Sequence, residues 1–147
     1  MLFSSNSLEN IRVDCEGLLW GFSHKRKHLR DKWGQFLSTY QRINPFDVAV
    51  IQPTKNYRIH AIGVVREKYY DDLTPVWPAE LRRGEVLYPW RVSFSLMLFS
   101  EEPITVLTVR VQDYISCFGL GTLTPRDLDN ILAGASRKFK LELREST

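Results

Sequence analysis

The chain has 147 residues, of which 44% are hydrophobic and 25% charged, with a formal net charge of +3. These values are typical of one globular domain with a sizeable core, and they argue against a disordered chain or a generally basic surface. Cys15 and Cys117 lie far apart without a CxxC motif, which argues against a disulfide framework. Because no run is apolar enough to span a membrane and no signal pattern is present, we expect a single cytoplasmic domain over 1–147.

The amino-terminal part alternates strands and helices. A strand is predicted over 1–5, a helix followed by a glycine over 6–17, and a second strand over 18–22. Another helix is predicted over 30–40, because apolar side chains recur at the spacing of one helical face: Trp33, Phe36, Leu37 and Tyr40.

Strands dominate the middle of the chain. A turn containing Pro and Asp opens a strand over 48–52, and the alternation of residues 57–69 predicts another. Residues 71–84 hold two prolines and charges at both ends, so we predict a long loop there. The next strand, 86–99, is expected to be half-buried because polar side chains alternate with apolar ones: Arg91, Ser93 and Ser95.

The carboxy-terminal part mixes both kinds of element. Residues 103–115 fit a strand or a helix, since β-branched residues favour the first and a proline at the start permits the second. A helix is predicted with Thr124 as its cap, Pro125 at its first position and Gly134 at its end. A last strand is predicted over 138–143. The sequence therefore predicts an α+β fold, a curved sheet or barrel with flanking helices.

The positive charge is concentrated in one segment, residues 23–32. This segment carries five cations against one acid, a charge of +4, whereas the remaining chain has 15 cations against 16 acids. The five cations are Lys25, Arg26, Lys27, Arg30 and Lys32. Two aromatic residues, Trp20 and Trp33, flank the segment. Clustered cations bind phosphates and flat rings stack on bases, so the pattern favours a nucleic-acid site, with a solvated surface loop as the alternative.

Motifs for catalysis and cofactor binding are missing from the sequence. It contains no GxxxxGK[ST], GxGxxG or GxSxG pattern. His24 and His28 have the spacing of metal ligands on a helix, but the three cations between them disfavour a dication. Asp71 and Asp72 are more typical of turn formers than of an acid–base pair. We therefore expect a binding module with no catalytic residues, no metal and no cofactor.

Several short motifs, in a fixed order, resemble the EVE domain, a small PUA-like barrel related to the YTH domain. The resemblance covers about residues 2 to 135 and rests on their order and spacing. The motifs are Trp20-Gly21, the basic segment, Pro45 and Asp47, Ile62-Gly63-Val64, Tyr69-Tyr70-Asp71-Asp72 with Pro75 and Pro78, Tyr88-Pro89-Trp90-Arg91-Val92, and Phe118-Gly119 with the helix after it.

The resemblance implies that a modified base is flipped into an aromatic cage. The matching walls are Phe22, with Trp20 as the alternative, Trp77 in the long loop, and the aliphatic Leu81. Polar groups near the base edge would be Ser23, His24 and Asp72. Phosphates would meet the basic segment together with Arg82 and Arg83. The residues alone leave a second interpretation of Trp77, an anchor that packs the loop onto the barrel.

The family also suggests a biological role. Related modules sense methylated DNA for restriction GTPases of the McrB type, and a chain that ends directly after its last predicted strand resembles a piece of a longer protein. We therefore expect binding to modified duplex DNA, with N6-methyladenine ahead of methylated cytosine, and an AAA+ GTPase as fused or assembled partner. The alternatives are a PUA-like RNA-binding protein, which would prefer RNA, and a small metal-dependent hydrolase or nuclease.

Overall fold

Seven strands and four helices are formed by the residues that the computed structural model describes, 1–5, 8–23, 30–53, 58–104, 115–117 and 119–139. In chain order they are β1 (Leu2–Ser5), α1 (Leu8–Gly17), β2 (Leu19–Phe22), α2 (Arg30–Gln41), β3 (Val48–Pro53), β4 (Ile59–Tyr70), α3 (Pro78–Arg83), β5 (Trp90–Ile104), β6 (Ile115–Cys117), β7 (Leu120–Gly121) and α4 (Pro125–Phe139). Within these residues, no helix is both long and apolar enough to cross a membrane.

The strands form one sheet in the order β2-β5-β4-β3-β1-β7-β6. Strand β1 pairs in parallel with β3, and the other neighbours are antiparallel. Helix α2 packs on Phe22 of β2 at one edge and also lies against β6 and β7 at the other edge. A helix reaches both edges only if the sheet curls around it. The predicted α+β fold with a curved sheet is therefore confirmed.

An apolar cluster covers each side of the sheet, because successive strand residues point to opposite sides. In β3, Ala49 and Ile51 pack with α1 and α2, whereas Val50 packs with Ile131 of α4 on the other side. The side covered by α1 and α2, called the aromatic face below, contains most of the buried rings: Phe3, Trp20, Phe22, Phe36, Tyr40 and Phe94. Its counterpart is called the opposite face.

Several predicted boundaries are wrong. The strand predicted over 86–99 begins at Trp90 and ends at Ile104, so it includes the first two residues of the segment 103–115, whose residues 105–114 lie outside the described part of the chain. Residues 71–84 are not only a loop, because α3 begins at Pro78 and ends before Gly84, which has a φ of 66°. Helix α4 starts as predicted, with Asp127 N–H donating to Thr124 Oγ1, but it continues past Gly134 to Phe139. Its buried stripe extends to Ala135, so packing outweighs the cost of a glycine in the helix. The first two residues of the predicted last strand are thus helical, and 140–143 lie outside the described residues.

The segment between β4 and β5 is organised by one buried carboxylate, that of Glu80. Its Oε1 accepts N–H groups of Val76 and Trp77 at 2.9 and 3.2 Å, and its Oε2 accepts those of Leu87 and Tyr88 at 2.7 and 3.0 Å. Burial raises the pKa of Glu80, but the four backbone donors outweigh burial and hold this pKa below its ordinary value. The carboxylate thus accepts the backbone N–H groups of the loop, which in a sheet would be bonded to a neighbouring strand.

Arg91 of β5 completes this network from the sheet. Its guanidinium is 1% exposed, lies 3.6 Å from Glu80 and pairs with Asp71 at 3.2 Å. It also donates to the carbonyl oxygens of Thr74, at 2.6 Å, and Tyr88, at 3.1 Å. Both ends and the middle of the loop are therefore attached to one side chain of the sheet.

Replacing Glu80 by Gln tests how much this carboxylate stabilises the fold. The amide keeps one acceptor oxygen but turns its NH2 group towards backbone donors, and Arg91 loses one of its two counter-charges. We expect Glu80→Gln to lower the free energy of unfolding by about 3 kcal/mol or more, measured by urea denaturation. Glu85→Gln is the control, because this exposed carboxylate lies 4.0 Å from Arg83 and should matter by less than about 0.5 kcal/mol. Equal midpoints for the two variants would contradict this assignment.

Candidate nucleic-acid interface

Three strands end side by side at one end of the sheet. Phe22, the last residue of β2, pairs with Trp90, the first residue of β5, and Trp90 pairs with Tyr70, the last residue of β4. The basic segment leaves the sheet here, directly after Phe22, and the loop with α3 leaves it directly after Tyr70. The structure therefore brings the start of the basic segment and the loop, which are far apart in sequence, to the same end.

Strand β2 divides its side chains between the two faces. Trp20 and Phe22 point into the aromatic face and are each 3% exposed. The Phe22 ring makes edge contacts with Phe3 and Phe36, with centroids 5.2 and 5.4 Å apart. Gly21, between them, is directed to the opposite face. Both predicted aromatic walls of β2 are therefore part of the core.

Trp77 lies on the opposite face, over Gly21. A Cβ added to Gly21 would stand 2.5 Å from Cη2 of Trp77 and 2.7 Å from Cβ of Tyr88, so the ring uses the space that the glycine leaves. The Arg91 guanidinium lies 5.2 Å from the Trp77 ring centroid, and the Tyr88 ring meets it edge-on at 5.5 Å. The Trp77 side chain is 9% exposed and anchors the loop to the sheet.

The predicted cage walls are not brought together in this arrangement. Phe22 and Trp20 lie on one side of β2, whereas Trp77 lies on the other side, over Gly21. Successive strand residues point to opposite sides, so Gly21 faces away from both of its neighbours. Leu81, the aliphatic wall, follows Trp77 by one helical turn and is 62% exposed. The contact of each of these side chains with a base stays a prediction.

Only some of the predicted polar and basic residues lie in the described part of the chain. Ser23 is half-buried just after β2, and Asp72 is exposed in the loop. Arg82 and Arg83 are exposed in the last turn of α3, and Arg30 and Lys32 belong to the first turn of α2. The remaining predicted residues lie outside the described part of the chain: His24, Lys25, Arg26 and Lys27. Among the described residues, no cluster of His, Cys, Asp and Glu could hold a metal ion.

Asp14 of α1 contacts Trp77, although no sequence pattern identified it. Its Oδ1 accepts the indole Nε1–H of Trp77 at 2.6 Å, and the residue is 7% exposed. Burial raises the pKa of Asp14 to about 7, and the hydrogen bond from Trp77 offsets only part of this effect. On a short amphipathic helix, an aspartate is normally read as part of the solvated face, so only the tertiary contact identifies it.

Two exposed rings at the same end were also not predicted as binding residues. Tyr69 and Tyr70, the last residues of β4, are 36% and 48% exposed. The Tyr70 ring packs on Trp90 of the aromatic face. Tyr69 is the neighbour of Arg91 across the two paired strands, so its side chain belongs to the opposite face. Their position at the end of an alternating strand, beside a polar loop, is the sequence signal that could have identified them.

The close approach of Trp77 to Gly21 predicts an unusual response to alanine. Gly21→Ala forces the indole or Tyr88 to shift, so we expect the free energy of unfolding to fall by about 1–3 kcal/mol. Gly34→Ala makes the same chemical change inside α2, where an added Cβ meets nothing within 4 Å. That variant should gain up to about 1 kcal/mol from helix propensity. Chemical denaturation of both variants checks the opposite signs, and a stable Gly21→Ala protein would refute this packing.

The raised pKa of Asp14 predicts that the free energy of unfolding depends on pH. Between pH 4 and 7 the folded protein keeps a proton on Asp14 that the unfolded chain releases, so the contribution of this group falls as pH rises. Its slope is at most about 1.4 kcal/mol per pH unit. Asp14→Asn keeps an acceptor for Trp77 but has no charge. We expect the variant to be more stable than the wild type above pH 7 and to match it near pH 4, measured by denaturation at each pH. A difference that does not change with pH would contradict the raised pKa.

Comparison with known proteins places the chain among its relatives. No protein-family model matches it. The uncharacterized protein MJ1369 of Methanocaldococcus jannaschii is 44% identical over 140 residues, which cover 94% of this chain and 90% of that protein. The crystal structure of the Toxoplasma CPSF4-YTH domain in apo form is similar with a TM-score of 0.56 and 14% identity, covering 93% of this chain and 84% of that chain.

The two similarities carry different information. The identity to the archaeal protein is high and nearly complete in both chains, so it establishes common descent, whereas the identity to the Toxoplasma domain is low and shows only the fold. The chain therefore belongs to the family of the M. jannaschii protein MJ1369, and it has a YTH-like fold.

Proposed function

We propose that this protein is a nucleic-acid-binding module that captures a modified base, with N6-methyladenine favoured, at the end of the sheet formed by β2, β5 and β4. The observation that supports the proposal is that the basic segment begins at this end of the sheet, directly after Phe22, and that exposed Tyr69 and Tyr70 and the start of the loop lie at the same end. The YTH-like fold supports it, because YTH domains read methylated bases. The proposed role is binding and includes no catalytic step.

Electrostatic attraction supplies the first step of capture. The basic segment carries +4 within ten residues, while the rest of the chain is close to neutral. If its five cations all meet phosphates, the logarithm of affinity should fall with the logarithm of salt concentration with a slope of about −4 to −5. Exposed Arg82 and Arg83 add positive charge beside the loop.

Stacking and hydrogen bonding supply selectivity. Extruding a base from a duplex costs a few kcal/mol, and each base–aromatic stack returns about 1–3 kcal/mol. Burial of one methyl group adds only about 0.8 kcal/mol, so sharp discrimination needs hydrogen bonds to the base edge. Ser23 and Asp72 are the described polar candidates for this role.

Trp77 is the proposed stacking partner on the opposite face. In the present arrangement Arg91, Tyr88 and Gly21 surround its indole. A base that stacks on the ring must therefore replace one of these contacts, and the exposed Leu81 would border the base. Because four residues attach the loop through Glu80, we infer that the ring moves within a loop that stays ordered.

The finer form of the proposal concerns the nucleic acid and the cellular role. The resemblance to the sensors of McrB-type restriction systems favours modified duplex DNA, with an AAA+ GTPase as partner. The alternative is a reader of modified RNA that has no part in restriction. One binding experiment separates these two possibilities.

We would titrate the full chain with matched fluorescent oligonucleotides at one fixed salt concentration. The set is duplex DNA with N6-methyladenine, with methylated cytosine or unmodified, and single-stranded RNA with and without N6-methyladenosine. We expect tighter binding to the N6-methyladenine form of one nucleic acid, by about tenfold if one additional hydrogen bond recognises the base edge. The preferred nucleic acid distinguishes the DNA reader from the RNA reader.

Charge-reversal variants control for non-specific binding. Lys25→Glu/Arg26→Glu should weaken binding of every oligonucleotide and flatten its salt dependence. Arg126→Glu/Arg137→Glu changes the net charge equally, but these exposed residues lie on α4, and binding should be nearly unchanged. If methylated and unmodified forms bind equally and both double variants behave alike, the proposed function is wrong.

A further inference from the structure

Asp14 of α1 holds the indole of Trp77 in one orientation. Its buried Oδ1 accepts the Nε1–H of the ring at 2.6 Å. The far end of the ring, Cη2, lies over Gly21, where an added Cβ would stand only 2.5 Å away. A rigid ring with a single N–H group cannot keep both contacts in another orientation. Helix α1 and strand β2 therefore fix the position of the ring together.

The charge of Asp14 has little compensation among the described residues, since no described cation forms an ion pair with its carboxylate. Strands β1, β2 and β3, which pack against α1, carry no titratable side chain. Arg12 of α1 pairs with Glu101 of β5 instead. The remaining titratable side chains described on α1 and β5, Arg91 apart, carry no positive charge: Cys15, Glu16 and Glu102.

The nearest cation on the far side of the indole is also engaged elsewhere. Arg91 lies 5.2 Å from the centroid of the Trp77 ring, but its guanidinium faces the carboxylates of Asp71 and Glu80. The indole N–H is therefore the described donor on which a negative charge at Asp14 depends. Burial outweighs this donor and raises the pKa of Asp14 to about 7.

We propose that Asp14 positions Trp77 in the ligand-free protein and gives up a proton to solvent when the ring turns to stack on the captured base. The inference rests on the proposed function and adds how that site is regulated. When the indole leaves Gly21, the carboxyl group loses its donor and the cover of the ring. Water then reaches the carboxyl group, and the cost of its negative charge falls.

The proton release gives the affinity a pH dependence of definite sign. Below about pH 7 the free protein keeps the proton, since burial holds the pKa of Asp14 at about 7. The bound protein, with Asp14 in water, keeps the proton only below about pH 4. Binding therefore releases a proton between these limits, and affinity rises with pH by at most about tenfold per unit. At higher pH the group is ionised in both states, and the dependence ends.

The test measures affinity by fluorescence anisotropy from pH 5 to pH 8 at one salt concentration. The probes are duplex DNA with N6-methyladenine and single-stranded RNA with N6-methyladenosine, each with its unmodified counterpart. Asp14→Asn keeps an acceptor for the indole but has no charge, and the control Glu16→Gln removes an exposed carboxylate from the same helix. The three histidines are common to all proteins, so the ratio of wild-type to variant affinity isolates the mutated group. Thermal unfolding at each pH verifies that the variants are folded.

We expect the ratio of wild-type to Asp14→Asn affinity to rise about tenfold or more from pH 5 to pH 8. The ratio of wild-type to Glu16→Gln affinity should stay nearly constant. A second measurement follows the indole N–H signal of Trp77 by NMR, which Trp77→Phe identifies by its loss. In the free wild type this signal should titrate with a midpoint of about pH 7, and Asp14→Asn should remove the titration.

Two outcomes overturn the inference. One is a ratio of wild-type to Asp14→Asn affinity that stays constant or falls as pH rises, because Asp14 then keeps its surroundings when the base binds. The other is an indole signal that does not titrate in the free protein. If methylated oligonucleotides still bind more tightly than unmodified ones in either case, only this inference fails. If no oligonucleotide binds at any pH, the proposed function fails together with it.

Discussion

The buried charge pair of Glu80 and Arg91 is the interaction on which the site depends. Neither charge can be buried alone without a cost of several kcal/mol, and each is satisfied only when the loop is folded onto β5. Glu80 gathers four N–H groups of the loop backbone, and Arg91 holds the carbonyl of Thr74 and the carboxylate of Asp71. A long polar connection thereby becomes ordered although few of its residues enter the apolar core.

This order determines where Trp77 lies. The loop delivers the indole to Gly21, the one position of β2 without a side chain, and Asp14 accepts its N–H from α1. Helix α1, strand β2 and the loop therefore meet at a single ring. Because burial raises the pKa of Asp14 to about 7, the charged fraction of this carboxyl group changes within the neutral range. Its hydrogen bond with Trp77 therefore links the loop to a group whose protonation state depends on pH.

Local patterns were sufficient to predict most of the fold. Apolar periodicity identified α2, and Thr124 with Pro125 identified the start of α4. The same patterns failed where long-range contacts decide. Arg91 alternates with apolar residues like a solvated side chain, yet the loop buries it. Phe22 and Trp77 matched two walls of one cage, but the alternation of β2 and the fold of a distant loop place them on opposite faces. Asp14 and α3 had signals too short to distinguish from an ordinary polar surface.

At this end of the sheet, neighbouring residues of each strand lie on faces that differ in chemistry. On the aromatic face, Tyr70 packs on Trp90, which also contacts Trp33 of α2, whereas the opposite face presents Trp77 at the start of α3. The difference follows from the alternation of paired residues, because Phe22, Trp90 and Tyr70 are neighbours across three strands, and so are Gly21, Arg91 and Tyr69 on the opposite face. A shift of one residue in the register of β2 or β4 would therefore exchange the two sets between the faces, and Trp77 would lose the space above Gly21. The buried network that holds the loop on β5 thus also fixes which residues each face presents.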